Sequence, residues 1–269
     1  LDGIGAYHLT LGRNKKSVEL DLKSEEGLKL FKELAEVADV VVDNFSQGVT
    51  KRLGIDHQSL KEVNPKIITC SISGFGDTEV NRPAYDNLIQ GYAGAMSITG
   101  TDKENPVKSG IPIADLGAGL YAVIGILSAI QSREKNDSGE HVDISMLDTQ
   151  VSLLTYMATM HFLSGENPEP IGNQHMNHVP FNSYRTSDGF IQIGVVAEDF
   201  WPSLIEALDL RKLDTEENKV RSGRLKNREN IDQAVQEVFI TNTTEHWLKT
   251  LQEHRVPCGP CLLYTSPSP

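Results

Sequence analysis

A run of three valines, Val40-Val41-Val42, sits between two stretches of helical spacing, and that arrangement narrows the fold more than any other feature of the chain. Ahead of it, Ser17 to Leu22 alternates as a short strand does. Ser24 can then cap a helix whose face carries Leu28, Phe31, Leu34 and Ala38. A short continuous apolar run is the mark of a strand covered on both faces of a parallel sheet. Beyond it, Asp56 can cap a helix to Val63, closed by Asn64-Pro65, and Lys66 to Ile72 reads as the next strand. Strand, helix, strand, helix, strand at this spacing predicts a doubly wound α/β sheet with right-handed crossovers. In such sheets ligands lie at the carboxyl ends of the strands. The loops there are Asp43-Asn44-Phe45-Ser46 and Ser73-Gly74-Phe75-Gly76. Gly74-x-Gly76 lacks the third glycine and following helix of a dinucleotide fingerprint, and no P-loop pattern occurs, so nucleotide-driven chemistry is not indicated.

The stretch from Ser138 to Met157 reads as a strand running into a helix. Val142 and Ile144 alternate with Asp143 and Ser145, and from Thr149 the apolar residues Val151, Leu154 and Met157 take helical spacing. Asp148 stands at the junction, where the positive helix end holds a carboxylate ionised. Spacing alone leaves two readings for it, a helix N-cap or a catalytic carboxylate. Between the two sheet segments, a helix is predicted over Asn87 to Ala95. A second helix, capped by Asp115, is predicted to reach about Arg133, and its Gly117, Ala118, Gly119, Ala122, Gly125 and Ala129 imply close packing near the sheet.

After Met157 the pattern changes. Ser164 to Asn182, rich in Gly, Pro, Asn and His, reads as a linker or active-site loop. Tyr184 to Val196 has the alternation of a hairpin turning at Ser187-Asp188-Gly189. Helices are predicted around Phe200–Leu208, Ile231–Ile240 and Thr244–His254, with Trp247 and Leu251 as a core face. The predicted division is a large α/β domain over 1–170, a linker over 171–182, a smaller α+β domain over 183–261, and a non-native tail over 262–269. The tail is Pro-rich and aperiodic, and the chain opens on Leu1, so a fragment missing both ends is expected.

Composition excludes several classes. With 25 basic against 37 acidic residues the net charge is −12, which argues against a nucleic-acid partner. Three cysteines make no disulfide framework and suit a reducing, cytoplasmic compartment. No apolar run approaches a membrane span, so no membrane partner is expected; the most apolar segment, Leu116 to Ile130, is rich in Gly and Ala. His175 and His178 have ligand spacing but lie in an Asn- and Pro-flanked loop with no third ligand nearby, so no metal is expected. Cys258-Gly-Pro-Cys261 matches a C-x-x-C redox motif without the strand and helix that motif needs. Arg13, Lys15, Lys16 and Lys23 form a basic cluster that is either a solvated face or a greeting for a phosphorylated ligand.

Taken in order, several segments resemble the family III CoA-transferases of the formyl-CoA transferase (CaiB/BaiF-like) type. They are Asn14 to Lys23, Val42-Asp-Asn-Phe45, Ser71 to Gly76, Ala84-Tyr-Asp86, Asp115 through Gly119, Gly139 to Asp148, Gly172-Asn173, Asp188-Gly189 and Val256 to Pro260. The resemblance implies a Rossmann-like parallel-sheet large domain with a smaller domain, in two interlocked chains forming a homodimer. It implies that coenzyme A, as an acyl-CoA, lies against Leu20, Asp21, Leu22, Lys23, Asn44, Phe45, Ser46, Arg52, Ala84, Tyr85 and Asp86. It also implies that CoA passes to a small carboxylic acid through a covalent intermediate on Asp148. Tyr85 stands where the related α-methylacyl-CoA racemases carry a catalytic His, and tyrosine is a poor base near neutral pH, which favours transferase over racemase. Pro83 stands where some formate-type members carry Lys, which weakens any reading of formyl-CoA specificity. The remaining readings are a racemase-like isomerase and a non-catalytic CoA-binding remnant or thiol redox module.

Overall fold

A computed structural model describes residues 5–80 and 82–264. The chain divides into two compact units. The first holds the residues up to Met96 together with Lys108–Glu166, the second Ser97–Val107 together with the chain from Asn167 on.

The first unit runs α1 (Ala6–Leu11), α2 (Glu25–Val37), β1 (Val40–Asp43), α3 (Val49–Leu53), α4 (His57–Lys61), β2 (Ile68–Ser73), α5 (Asp86–Tyr92), α6 (Ile113–Asn136), β3 (His141–Ser145), α7 (Met146–Ser152) and α8 (Tyr156–Ser164). The three strands form a parallel sheet in the order β1-β2-β3, with Val40 opposite Ile68 and Thr69 opposite His141. Side chains alternate across a strand, and helices occupy both sides. Ile72 and Ile144 pack in a cluster with Ile89, Ala114, Ala118 and Met146 from α5, α6 and α7. On the other side the Thr69 hydroxyl lies 3.0 Å from the His57 ring of α4 and 2.8 Å from His141. Burial, and after it His141, lowers the pKa of His57. Gly125 shows why α6 is rich in small residues: a Cβ there would come within 2.6 Å of Val142 on β3. Larger side chains would push the helix off the sheet.

Local chemistry explains the helix starts. Ser24 accepts from the Gly27 N–H and Asp56 from those of Gln58 and Ser59, both as the sequence predicts. Several expectations are corrected. Ser17–Leu22 forms no strand; no partner strand lies alongside it among the described residues, and an unpaired extended segment has no ladder to join. The valine run is an edge strand, so Val42 is 54% exposed rather than covered on both faces. On α2 it is Ala35 that reaches the core while Leu34 stays half-exposed. Asp115 does not cap α6: the helix starts two residues earlier, and the first-turn N–H groups of Ala114 and Asp115 donate instead to the Asp86 carboxylate, at 2.9 and 3.4 Å. Nor does Asp148 cap α7, because the Ser145 hydroxyl takes that place and accepts from the Asp148 N–H at 3.1 Å. The helix read from Thr149 through Met157 is two helices, broken at Leu153–Thr155 where Thr155 has φ 49°. Contrary to the sequence reading of its apolar content, α6, with 24 residues spanning about 36 Å, is long and apolar enough to cross a membrane by length and composition. It lays its small-residue face on the sheet.

The second unit holds β4 (Phe181–Arg185), β5 (Phe190–Gly194), α9 (Phe200–Ala207), α10 (Arg221–Lys226), α11 (Arg228–Phe239), α12 (Thr244–Glu253) and β6 (Cys258–Pro260). An antiparallel sheet, β4-β5-β6, buries Ile191, Ile193 and Val195 against Trp201, Leu204, Ile231, Phe239, Trp247 and Leu251, an α+β layer as predicted. The cap of α12 is Thr243, one residue before the predicted Thr244. The Gly172 N–H donates to the Gly100 carbonyl at 2.7 Å, which ties Ser97–Val107 to this unit. Cys258 lies on the edge strand β6, and burial raises its thiol pKa, the opposite of what a reactive thiolate needs. The His175 and His178 rings sit 4.6 Å apart beside Phe181. Of the predicted tail, Leu262–Tyr264 is irregular and residues 265–269 lie outside the described residues.

Candidate active site

The parallel register brings the carboxyl ends of the three strands level: Asp43 stands opposite Ser71, and Ser73 opposite Ser145. The loops leaving them therefore meet along one crest. The Asn44 amide donates to the Ile72 carbonyl at 2.5 Å, and the Phe45 N–H to the Asp43 carboxylate at 3.1 Å, so the first loop is tied to the neighbouring strand and turned upon itself. The Leu147 N–H donates to the Gly74 carbonyl at 3.1 Å, which pins the start of α7 to the second loop. Gly74 is required there, since a Cβ would fall 2.2 Å from that of Ala84.

Over this crest lies a cavity of about 740 Å³. Its wall includes Asn44, Phe45, Ser46, Gly74, Ala84, Tyr85 and Asp86, so seven residues drawn from three separate segments converge there. The sequence reading singled out the loops but not three of the charged groups lining the same cavity as ligand contacts: Arg82, Lys108 and Asp115. Arg82 packs its guanidinium over the Phe75 and Tyr92 rings, 4.9 and 4.5 Å from their centroids. The carboxyl of Asp115 has its pKa raised, first by burial and then by the charge of Asp86. Asp86 itself is occupied: one oxygen accepts from the Ala114 and Asp115 N–H groups, the other from the Gln90 amide at 2.6 Å. Asp86 is therefore a cap that hangs α6 from α5 as well as a cavity residue. Asp86→Ala removes that cap and should lower stability by about 1–2 kcal/mol, readable as a shift in the urea midpoint, while Asp86→Asn should recover part of it.

The other predicted site residues lie elsewhere. Leu20, Asp21, Leu22 and Lys23 form the turn into α2, where the Asp21 carboxylate accepts from the Lys23 N–H and Leu22 packs on the Ala35–Leu60 cluster. Arg52 is exposed on α3. Asp148, in the first turn of α7, is exposed and outside the wall of the cavity. In the sequence Asp115 opens the small-residue segment Asp115–Gly119, a place that fits a helix cap as well as a cavity residue.

Comparison with known proteins decides the family. The description CoA-transferase family III matches residues 1–266. The chain belongs to this family. A human succinyl-CoA:glutarate CoA-transferase is 33% identical over 94% of the chain and 59% of its own length. An acetyl-CoA:oxalate CoA-transferase of Acetobacter aceti is 32% identical over 95% of the chain and 67% of its length. Among solved structures, a CaiB/BaiF family protein of Brucella suis is 34% identical, with a TM-score of 0.84 over 93% of this chain and 67% of that one. The chain spans 59–66% of the length of the first three such relatives. The parallel sheet with its smaller antiparallel companion is thus the CaiB/BaiF fold.

Proposed function

We propose that this protein moves CoA from an acyl-CoA thioester to a free dicarboxylic acid, with Asp115 as the covalent nucleophile. Relatives named for glutarate, mesaconate and oxalate support that acceptor class. The observation that carries the site assignment is the state of the two carboxylates in the crest cavity. Asp86 spends both oxygens on fixed donors, while Asp115 keeps its oxygens free for a substrate. An ionised carboxylate is a modest nucleophile, so the reaction depends on placement and on donors near the thioester oxygen. An oxygen of Asp115 attacks the thioester carbon, the C–S bond breaks, and CoA leaves as thiolate. The thiolate then attacks the aspartyl carbonyl of the mixed anhydride, releasing the first acid and leaving an aspartyl-CoA thioester. The acceptor carboxylate attacks that thioester, expelling CoA thiolate and forming a second mixed anhydride; the thiolate then attacks the acceptor's carbonyl, and the Asp115 carboxylate leaves as the new acyl-CoA forms. Each exchange trades one activated carbonyl for another and needs no nucleotide.

CoA in this reading lies along Asn44–Ser46 and Ala84–Asp86. The interlocked homodimer implied by the resemblance belongs to the same reading. It is supported by apolar side chains left exposed on α6 (Leu120, Val123, Ile124, Leu127) and α8 (Phe162, Leu163). The cysteines Cys70, Cys258 and Cys261 are free, which suits a cytoplasmic setting. The test is turnover of succinyl-CoA with a panel of dicarboxylates and equal-length monocarboxylates, read as CoA thioester products by mass. Absence of any new thioester with every acid would overturn it.

A further inference from the structure

We infer that Arg82 is the residue that selects a dicarboxylic over a monocarboxylic acceptor, by pairing with the carboxylate that does not react; this rests on the transferase reading above. Arg82 lines the same cavity as Asp115 and Tyr85. Its guanidinium lies over two rings that are themselves edge-to-face, Phe75 and Tyr92, with centroids 5.9 Å apart. Stacking of this kind holds the guanidinium plane while leaving its N–H edge available, the geometry that takes a carboxylate in a two-pronged grip. No carboxylate lies within salt-bridge distance of Arg82 among the described residues. Asp86, a carboxylate of the same wall, is already committed to the α6 N-terminus and Gln90. Phe75 is 8% exposed and belongs to the cluster that also holds Ala114, so the ring under Arg82 is anchored in the same core as the first turn of α6. The recognising cation and the candidate nucleophile are thus carried on one packed body, and an acid held by both need order no loop. Lys108, the other cation of the wall, donates to the Ser109 carbonyl and has no ring beneath it among the described residues; its ammonium is a point charge rather than a fixed fork.

The experiment compares wild type, Arg82→Gln and Arg82→Lys with glutarate and valerate as acceptors and one acyl-CoA donor. The readout is the ratio of kcat/KM for glutarate to that for valerate. The ratio should fall about 10- to 100-fold in Arg82→Gln, chiefly through the glutarate KM, with partial recovery in Arg82→Lys. An unchanged ratio overturns the inference. So does a rise in the donor KM that is equal for both acceptors, which would assign Arg82 to CoA. If Arg82→Gln does not fold, Tyr92→Leu, which removes one stacking ring and keeps the cation, should lower the same ratio, and an unaltered ratio there also counts against it. Glutarate binding in the presence of CoA, measured by ligand NMR without turnover, separates the two readings. Loss of binding in Arg82→Gln supports the role of Arg82 even if wild type transfers no CoA, and undiminished binding overturns it.

Discussion

Asp115→Asn should lose CoA transfer by at least about 10³-fold, while Asp148→Asn keeps most of it. The amide keeps the size of the side chain and its place in the first turn of α6, so the loss reports chemistry rather than folding. The Asp148 variant is the control that distinguishes the two candidate carboxylates: its N–H bond to Ser145 comes from the backbone and survives the substitution. Hydroxylamine trapping after mixing with an acyl-CoA should place a hydroxamate on the peptide containing Asp115 and none on that containing Asp148. The reverse pattern would return the nucleophile to α7. Stability should move the other way. The pKa of Asp115 is raised in the folded state, so the fold binds its proton more tightly than the unfolded chain does. Its ionisation therefore opposes folding. That opposition is absent below the ordinary carboxylate value of 3.8 and complete once the pH has passed the raised folded value. Asp115→Asn should accordingly melt slightly higher than wild type at pH 7, with the gap closing in acid.

Arg224→Met should destabilise the second unit by about 2–5 kcal/mol, chiefly through buried carbonyls that lose their donors. This arginine is 1% exposed. Its guanidinium donates to the carbonyls of Val179, Asn218 and Lys219 at 3.0 to 3.1 Å and to the Glu198 carboxylate at 2.6 Å, and it lies 5.3 Å from the Trp201 ring. Methionine fills much of the volume but leaves the buried Val179 and Asn218 carbonyls without this donor, and each costs about 1–3 kcal/mol if unrelieved. Arg224→Lys should recover only part of the loss, because one ammonium cannot span four acceptors set around a planar fork. Denaturant unfolding followed by tryptophan fluorescence would read the effect, since Trp201 and Trp247 both lie in that core. A change below about 0.5 kcal/mol would show that the network is dispensable.

Neither carboxylate assignment could be settled from spacing. Asp115 and Asp148 both stand beside a helix start, and the same residue type serves a cap and a nucleophile. Both are exposed, but Asp115 lines the crest cavity whereas Asp148 lies outside its wall. Asp86, twenty-nine positions before Asp115, supplies the α6 cap in trans and so frees Asp115. A contact between residues that far apart leaves no periodic trace. Arg82 was hidden for the same reason: its rings come from the β2 loop and the end of α5, and nothing in the order of residues announces the stack. The valine run misled in a different way, because apolar content reports what a strand could bury, whereas its place at the sheet edge decides what it does bury.

What the sequence alone determined was the local grammar. Ser24 and Asp56 as caps, the small residues of α6, the alternation through Ile191, Ile193 and Val195, and the ordered segments resembling family III were all legible. Each of these depends on a side chain and its near neighbours along the chain. Which loops share a cavity, which carboxylate is free within it, and which cation faces it were decided only by the tertiary structure. The parallel register sets the strand ends level, and α6 packs against that crest through atoms that are far apart in sequence.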